Sequence, residues 1–338
     1  MSNAARMPSP DLFFDTASGY VRTEVLRTAV ELDLFSAIAA GRQTVPELAR
    51  HCESAEKGIR VLCDYLVVAG FLLKQQGRYM LTPDSATFLD RKSPAYLGGV
   101  LTFLHTPTLR QGYANLTAAV RKGGTAVSAD GLMKVENTDW VQFARSMVPM
   151  MAMPAQLTAQ LIDRPADAKL KVLDIAAGHG LFGIEVARRF AEAQVTGLDW
   201  PNVLEVAKEN ARRADIAERY RTIAGDAFEV ELDDGYDVVL IPNFLHHFSA
   251  QRCGELLRKV HRALEPDGIA LAVEFIPDEE RVSPPFPAMF ALAMLVATAQ
   301  GEAYTWSQLD AMFKGAGFSR NTMHALPPSA EHAVVARK

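Results

Sequence analysis

The hydrophobic rhythm of the chain changes near residue 170. Upstream, apolar positions recur every three or four residues, the period of a helix with one buried face. Val21, Val25, Ala29 and Leu32 predict a helix over 21–34. Thr44-Val45-Pro46-Glu47 has the form of a capping box with an early proline, so a second helix starts there and runs to about Cys52. Ser54 is placed to cap a third, whose apolar face holds Ile59, Leu62, Leu66 and Val67 and which Gly70 ends. Phe71-Leu72-Leu73 and Arg78 to Thr82 then flank a Gln75-Gln76-Gly77 turn, as in a short hairpin. Three helices followed by a two-stranded wing predict a mostly helical winged-helix unit over 11–104.

Residues 105–165 read as a helical connector. Trp140, Phe143, Met147, Met150 and Met151 recur at helical spacing. They form either a core stripe or the soft wall of an aromatic-binding pocket. Asp163-Arg164-Pro165-Ala166-Asp167 has the composition of a hinge. Over 166–338 short apolar runs alternate with helical stretches, which predicts an α/β domain with a parallel sheet. The predicted strands are 171–176, 194–198, 220–224, 236–241 and 269–275, closed by a pair at 318–324 and 333–336. Helices are expected over 180–190, from Pro201-Asn202, over 251–264 with Pro266 and Gly268 stopping it, over 286–299 as a buried helix, and over 307–314.

Composition narrows the function. A length of 338 residues suits two domains, and 49% apolar with 22% charged residues is ordinary for a globular chain. The net charge is −5, and residues 1–105 carry eleven basic against eleven acidic side chains. A phosphate-binding face needs excess positive charge, so no nucleic-acid partner is expected and the winged helix is assigned to subunit association as a homodimer. Cys52, Cys63 and Cys253 are too scattered for a disulfide framework or a zinc site. The start of the chain lacks the apolar core of a secretory signal, and the 286–299 run is too short to span a bilayer. A cytoplasmic protein with neither a membrane partner nor a metal is expected.

The chemistry gathers at predicted strand ends, where open α/β sheets bind ligands. Gly178-His179-Gly180-Leu181-Phe182-Gly183 reads G-x-G-x-x-G, a pattern that by itself suggests a dinucleotide. Asp174, inside the strand before it, points elsewhere: an acid beside the loop disfavours phosphate and suits a cation such as the sulfonium of S-adenosylmethionine. Asp199 stands where an acid accepts ribose hydroxyls, which fits either cofactor. Asp226 can accept from an adenine amine with Ala227 and Phe228 packed on the ring, or can simply cap a helix. Downstream, Pro242-Asn243-Phe244 and His246-His247-Phe248 close the fourth strand.

Together these residues resemble the S-adenosylmethionine-dependent methyltransferases, and more narrowly the dimeric small-molecule O-methyltransferases of caffeate, acetylserotonin and antibiotic-tailoring type. The resemblance spans nearly the whole chain. It rests on Val172-Leu173-Asp174 with its glycine turn, Gly197-Leu198-Asp199, Gly225-Asp226-Ala227-Phe228 and Leu245-His246-His247-Phe248. It continues through Leu264-Glu265-Pro266-Asp267-Gly268 and Gly315-Ala316-Gly317-Phe318. It implies a Rossmann-like class I methyltransferase domain preceded by a winged-helix dimerisation domain, with S-adenosyl-L-methionine as cofactor. It also implies His246 as general base, with His247 where the family usually has aspartate. Glu274 then orients the base, and Glu302 corresponds to a second flanking glutamate.

The cofactor is thus expected at Gly178, Gly180, Asp199, Asp226, Ala227 and Phe228. A small aromatic or polyketide-like acceptor is expected against Trp140, Phe143, Met147, Phe244, His247, Phe290 and Met294. A phenolic hydroxyl with a pKa near ~10 is a poor nucleophile at neutral pH, and an imidazole with a pKa near ~6.5 can take its proton. Methylation at carbon or nitrogen, or a non-methylating relative on the same scaffold, remains the alternative, because fold does not determine the acceptor.

Overall fold

The computed structural model describes residues 8–128 and 139–338. The chain divides into two compact units, Met1–Thr102 and Phe103–Lys338.

In the first unit, helices α1 (Asp11–Ala17), α2 (Gly19–Glu31), α3 (Leu34–Ala39), α4 (Val45–His51) and α5 (Glu56–Val68) precede the hairpin β1 (Leu72–Gln75) and β2 (Arg78–Leu81), and α6 (Pro83–Phe88) follows. The capping box forms at Thr44: the Glu47 carboxylate accepts from the Thr44 N–H at 2.9 Å. The helix predicted over 21–34 is α2, which ends at Glu31; Asp33 then adopts φ 53°, a left-handed conformation that Asp tolerates better than most residues, and α3 starts at Leu34. Ser54 does not cap α5; its hydroxyl donates to the Cys52 carbonyl at 2.8 Å and Ala55 holds the cap position. Gly70 ends the helix at φ +85°. Leu34, Phe35, Leu48, Ile59, Cys63, Leu66, Leu72 and Tyr79 form the core. None of the residues of α1 is buried, and Leu12, Phe13 and Phe14 stand out from it.

After α7 (Gly98–Leu104), which straddles the division, the second unit opens with α8 (Pro107–Ala114), α9 (Leu116–Lys122) and the 22-residue α10 (Asp139–Gln160), which carries Pro149 and Pro154 internally. There follow β3 (Lys171–Ile175), α11 (Leu181–Arg189), β4 (Gln194–Asp199), α12 (Pro201–Arg213), β5 (Tyr220–Ala224), β6 (Tyr236–Pro242), α13 (Ala250–Ala263), β7 (Leu264–Glu274), α14 (Pro285–Ala297), α15 (Trp306–Gly315), β8 (Arg320–Ala325) and β9 (His332–Arg337). Seven strands pair in the order β5-β4-β3-β6-β7-β9-β8. The first five run parallel, and β9 and β8 return antiparallel. The buried strands are nearly continuous apolar runs, as expected of a sheet covered on both faces. The order reverses at β3, between β4 and β6, and that switch point is where a crevice opens above the strand ends.

Two expectations change here. Pro266 and Gly268 do not stop α13, which ends at Ala263; β7 starts immediately and carries them through an irregularity in its pairing with β6. Such an irregularity accommodates a proline that has no N–H to donate. The apolar helix over 286–299 is not wholly buried. Met294, Val296 and Ala297 are inside, while Phe286, Met289 and Leu292 are 39%, 56% and 44% exposed.

Candidate active site

The turn from β3 into α11 is built by close packing. Gly180 has φ +76°, and a Cβ there would lie 2.9 Å from the Tyr220 hydroxyl and 3.0 Å from Ala207 Cβ. At Gly183 a Cβ would come within 2.7 Å of Val195 Cγ1. The glycines therefore let the helix start directly against the sheet. Asp174 serves the same packing. It is fully buried, and its Oδ2 accepts from the Gly183 N–H at 3.0 Å. Burial pushes its pKa up to about 8. The inference that Asp174 attracts a cation in the loop is thus corrected: the side chain faces the helix, and its burial disfavours the charged form.

At the end of β4, Asp199 Oδ2 accepts from the Gly178 N–H at 2.8 Å and Oδ1 from the Trp200 N–H at 2.6 Å. Burial still raises its pKa, to about 6, against the pull of those two bonds. A cleft runs from this point. Ala176 to His179 and Phe182 line it from the turn, and Asp199, Trp200 and Val203 from the next strand end. Pro242, Asn243, Phe244 and His247 line it from the end of β6, and Trp140, Phe143 and Met151 from α10.

Of the residues expected to bind cofactor or acceptor, Gly178, Asp199, Trp140, Phe143, Phe244 and His247 meet in this cleft. The others are not among its lining side chains. Gly180 shapes the turn from beneath. Met147 and Met294 are buried, and Met151, one helical turn along α10, takes the lining position. Asp226 Oδ1 accepts from the Phe228 N–H at 2.8 Å, Ala227 sits in the core, and Phe228 packs edge-on against Phe248 at 4.7 Å.

The two adjacent histidines have different surroundings. Leu245–His247 form a single 3-10 turn after β6, and Glu274 ends the neighbouring β7. His246 and Glu274 are 5% and 4% exposed. The His246 Nδ1 pairs with Glu274 Oε2, and Glu274 Oε1 accepts from the N–H groups of Leu245 at 2.8 Å and Phe244 at 3.2 Å. The Phe290 ring closes edge-on over the imidazole at 4.8 Å. His247 lies 4.3 Å from the His246 ring and 5.4 Å from the Trp140 indole, and its buried Nδ1 has no hydrogen-bond partner among the described residues. Burial, with His246 adding to it, holds its pKa well below the usual histidine range. Glu302 reaches His246 through its backbone N–H, which donates to the His246 carbonyl at 2.9 Å. Its carboxylate does not meet the ring; it pairs with Arg281 at 2.7 Å and is 45% exposed.

A further acid was not legible in the sequence. Glu331, before β9, is 1% exposed, and its Oε1 accepts from Asn243 Nδ2 at 2.8 Å. Burial pushes its pKa up to about 7, with the Glu274 charge adding to the rise. Its Oε2 accepts locally from the Ser329 hydroxyl at 3.1 Å, but the contact that brings it to the site comes from Asn243, 88 residues earlier, which nothing in Ser329-Ala330-Glu331 signals. Among the described residues no cluster of three His, Cys, Asp or Glu side chains could hold a metal ion.

A seven-stranded, mostly parallel sheet with a cleft at its switch point, preceded by a separate helical unit, defines the architecture of small-molecule methyltransferases. The chain belongs to the O-methyltransferase family: the O-methyltransferase domain matches residues 113–319 and the O-methyltransferase dimerisation domain residues 14–91. It is 28% identical over 333 residues to 3-hydroxy-5-methyl-1-naphthoate 3-O-methyltransferase of Streptomyces sahachiroi, covering 97% of this chain and 95% of that one. A solved structure from Nostoc punctiforme PCC 73102, itself assigned as an O-methyltransferase, matches with a TM-score of 0.93 at 50% identity over 98% of this chain and 100% of that one. Human N-acetylserotonin methyltransferase, solved in complex with SAM, shares the fold with a TM-score of 0.85 at 23% identity over 100% of this chain and 99% of that one. Among the described residues no helix is long and apolar enough to cross a membrane.

Proposed function

We propose that this chain transfers a methyl group from S-adenosylmethionine to a hydroxyl of a small aromatic or polyketide-like molecule, with His246 as general base. The observation that carries this is the buried His246–Glu274 pair at adjoining strand ends, in the turn whose Phe244 and His247 line the cleft. Glu274 occupies Nδ1 and leaves Nε2 to take the proton of an acceptor hydroxyl; its carboxylate then stabilises the imidazolium. The naphthoate methyltransferase relative supports an aromatic acceptor, as do Trp140, Phe143 and Phe244 on the walls.

The cleft also fits the cofactor. Asp199 still has acceptor capacity for ribose hydroxyls, and Trp200 and Val203 offer apolar walls to a base. Among the described residues no lysine or arginine lines the cleft, so a pyrophosphate would find no cation on those walls. S-adenosylmethionine brings no phosphate and supplies the methyl group at its sulfonium. The residues of the cleft contribute by holding the acceptor oxygen in line with that methyl and excluding water. The match to the dimerisation domain supports a homodimer.

The test is calorimetry with S-adenosylhomocysteine, followed by mass spectrometry on a panel of phenols and naphthols incubated with S-adenosylmethionine. Methyl ethers should form, and Asp199→Ala should weaken the nucleoside while the protein stays folded. Preferential binding of NAD, or a product methylated at carbon or nitrogen, would overturn the proposal.

A further inference from the structure

His179 is a residue that neither the base nor the acceptor pocket uses. It lines the cleft from the glycine turn and is 6% exposed. Its Nδ1 accepts from the Leu181 N–H at 3.1 Å. A neutral imidazole that accepts at Nδ1 carries its proton on Nε2. The ring is held in place: it stacks on Phe182 with centroids 6.2 Å apart and planes 21° apart, and the His179 carbonyl accepts from Asn210 Nδ2 at 2.9 Å. Burial lowers its pKa to about 4, so it stays neutral at working pH.

Three of the donors around it are already committed. At the start of α11 the Gly180 N–H goes to the Ala177 carbonyl at 2.7 Å, the Leu181 N–H to His179 and the Gly183 N–H to Asp174. A helix start normally offers such N–H groups to an anion. Here they are turned inward. The His179 ring takes one of them in at Nδ1 and presents another N–H, at Nε2, for which no hydrogen bond to a described residue exists. The partial positive charge of the helix end is thereby carried to the edge of a cleft whose described lining residues include no cationic side chain.

We propose that His179 recognises the α-carboxylate of the cofactor's methionine portion, donating to it from Nε2. This rests on S-adenosylmethionine being the cofactor and adds the residue that meets its anion. The carboxylate needs a donor in a cleft whose other strong charge, Asp199, is negative.

Asparagine and glutamine separate the two ring nitrogens. In His179→Asn the amide oxygen can still accept from the Leu181 N–H, as in an Asx turn, but no donor reaches the position of Nε2. His179→Gln restores a donor near that position. The probes are S-adenosylhomocysteine and its decarboxylated analogue, which differ only in the carboxylate, measured by calorimetry on the full chain. A hydrogen bond to a charged group predicts that His179→Asn weakens S-adenosylhomocysteine by roughly 10- to 100-fold and the decarboxylated analogue by less than about 3-fold, with His179→Gln recovering most of the loss. Equal weakening of both probes would make His179 a packing residue, and unchanged affinity for both would place the carboxylate elsewhere; either overturns the proposal. If the wild-type protein bound neither probe, the cofactor assignment itself would fail, whereas binding of the decarboxylated analogue to His179→Asn keeps that assignment intact.

Discussion

Glu274 accepts from His246 Nδ1 and from the backbone N–H groups of Phe244 and Leu245, so the carboxylate and the turn that carries the imidazole fix each other. His247 has a ring neighbour on either side and no carboxylate. The residue pattern alone left open which of the two acts; the carboxylate at the Nδ1 of His246 is what supports His246 in the proposal. His246→Ala is expected to lower turnover by about 10²–10⁴-fold with S-adenosylhomocysteine affinity nearly unchanged, Glu274→Gln by less, and His247→Ala by least. The deficit of His246→Ala should shrink as pH nears the acceptor's own pKa, where the hydroxyl ionises unaided. Steady-state kinetics across pH measure this, and a dead His247→Ala beside an active His246→Ala would reverse the assignment. Glu331 makes a second residue-scale prediction. Its folded pKa, about 7, lies above the ~4.3 of an unfolded glutamate, so the folded state binds more protons between those values. Stability from this group is therefore present at low pH and lost as pH rises through the interval. Glu331→Gln should raise Tm more at pH 8 than at pH 5, by a difference corresponding to at most roughly 3 kcal/mol. Equal gains at both pH values would mean that Glu331 is charged throughout.

At the level of elements, legibility followed how local the deciding interaction is. The strand from Tyr220 to Ala224 and the capping box at Thr44 matched expectation, since apolar runs and caps are decided within a few residues. The break at Asp33, the cap at Ala55 in place of Ser54, and the start of β7 at Leu264 were missed, each by a contact or conformation that composition does not encode. Asp226 accepts from the Phe228 N–H at Oδ1, a local turn bond that leaves its other oxygen open. The glycine turn was recognised as a motif, yet the reason for its third glycine is tertiary. A methyl at Gly183 would meet Val195 Cγ1 at 2.7 Å and Asp174 Oδ2 at 3.0 Å. Gly183→Ala should therefore force α11 off the sheet and cost about 1–3 kcal/mol, seen as a Tm lower by roughly 2–4 °C per kcal/mol for a unit of this size. It should also weaken S-adenosylhomocysteine, because the displaced helix carries the turn with it. A variant as stable as wild type would show that the packing there yields without strain.

For the molecule as a whole, a boundary after residue 104 and a separate connector to 165 were expected. The division falls after Thr102, and 103–165 belongs to the compact unit that contains the sheet. Helical periodicity marked α10 but could not reveal that it packs on α11 and α12. What the first unit does with its surface is the larger question. The seven residues of α1 bury nothing, and Leu12, Phe13, Phe14 and Tyr20 are 79%, 68%, 64% and 71% exposed. A helix that short has no stability of its own in water and needs an apolar surface to lie on. Single exposed apolar residues are common, but four large ones within nine positions are a patch. The region matches a dimerisation domain over 14–91, and a neutral charge balance there leaves little repulsion between copies. A second copy of this chain is therefore the expected cover, through a symmetric interface in which the same patch serves both partners. Light scattering at micromolar concentration should give twice the monomer mass of 37.0 kDa. The double variant Phe13→Glu, Phe14→Glu should shift the equilibrium toward monomer while circular dichroism stays native. A wild-type monomer mass under these conditions would exclude the homodimer. A variant that stays dimeric would move the interface away from α1.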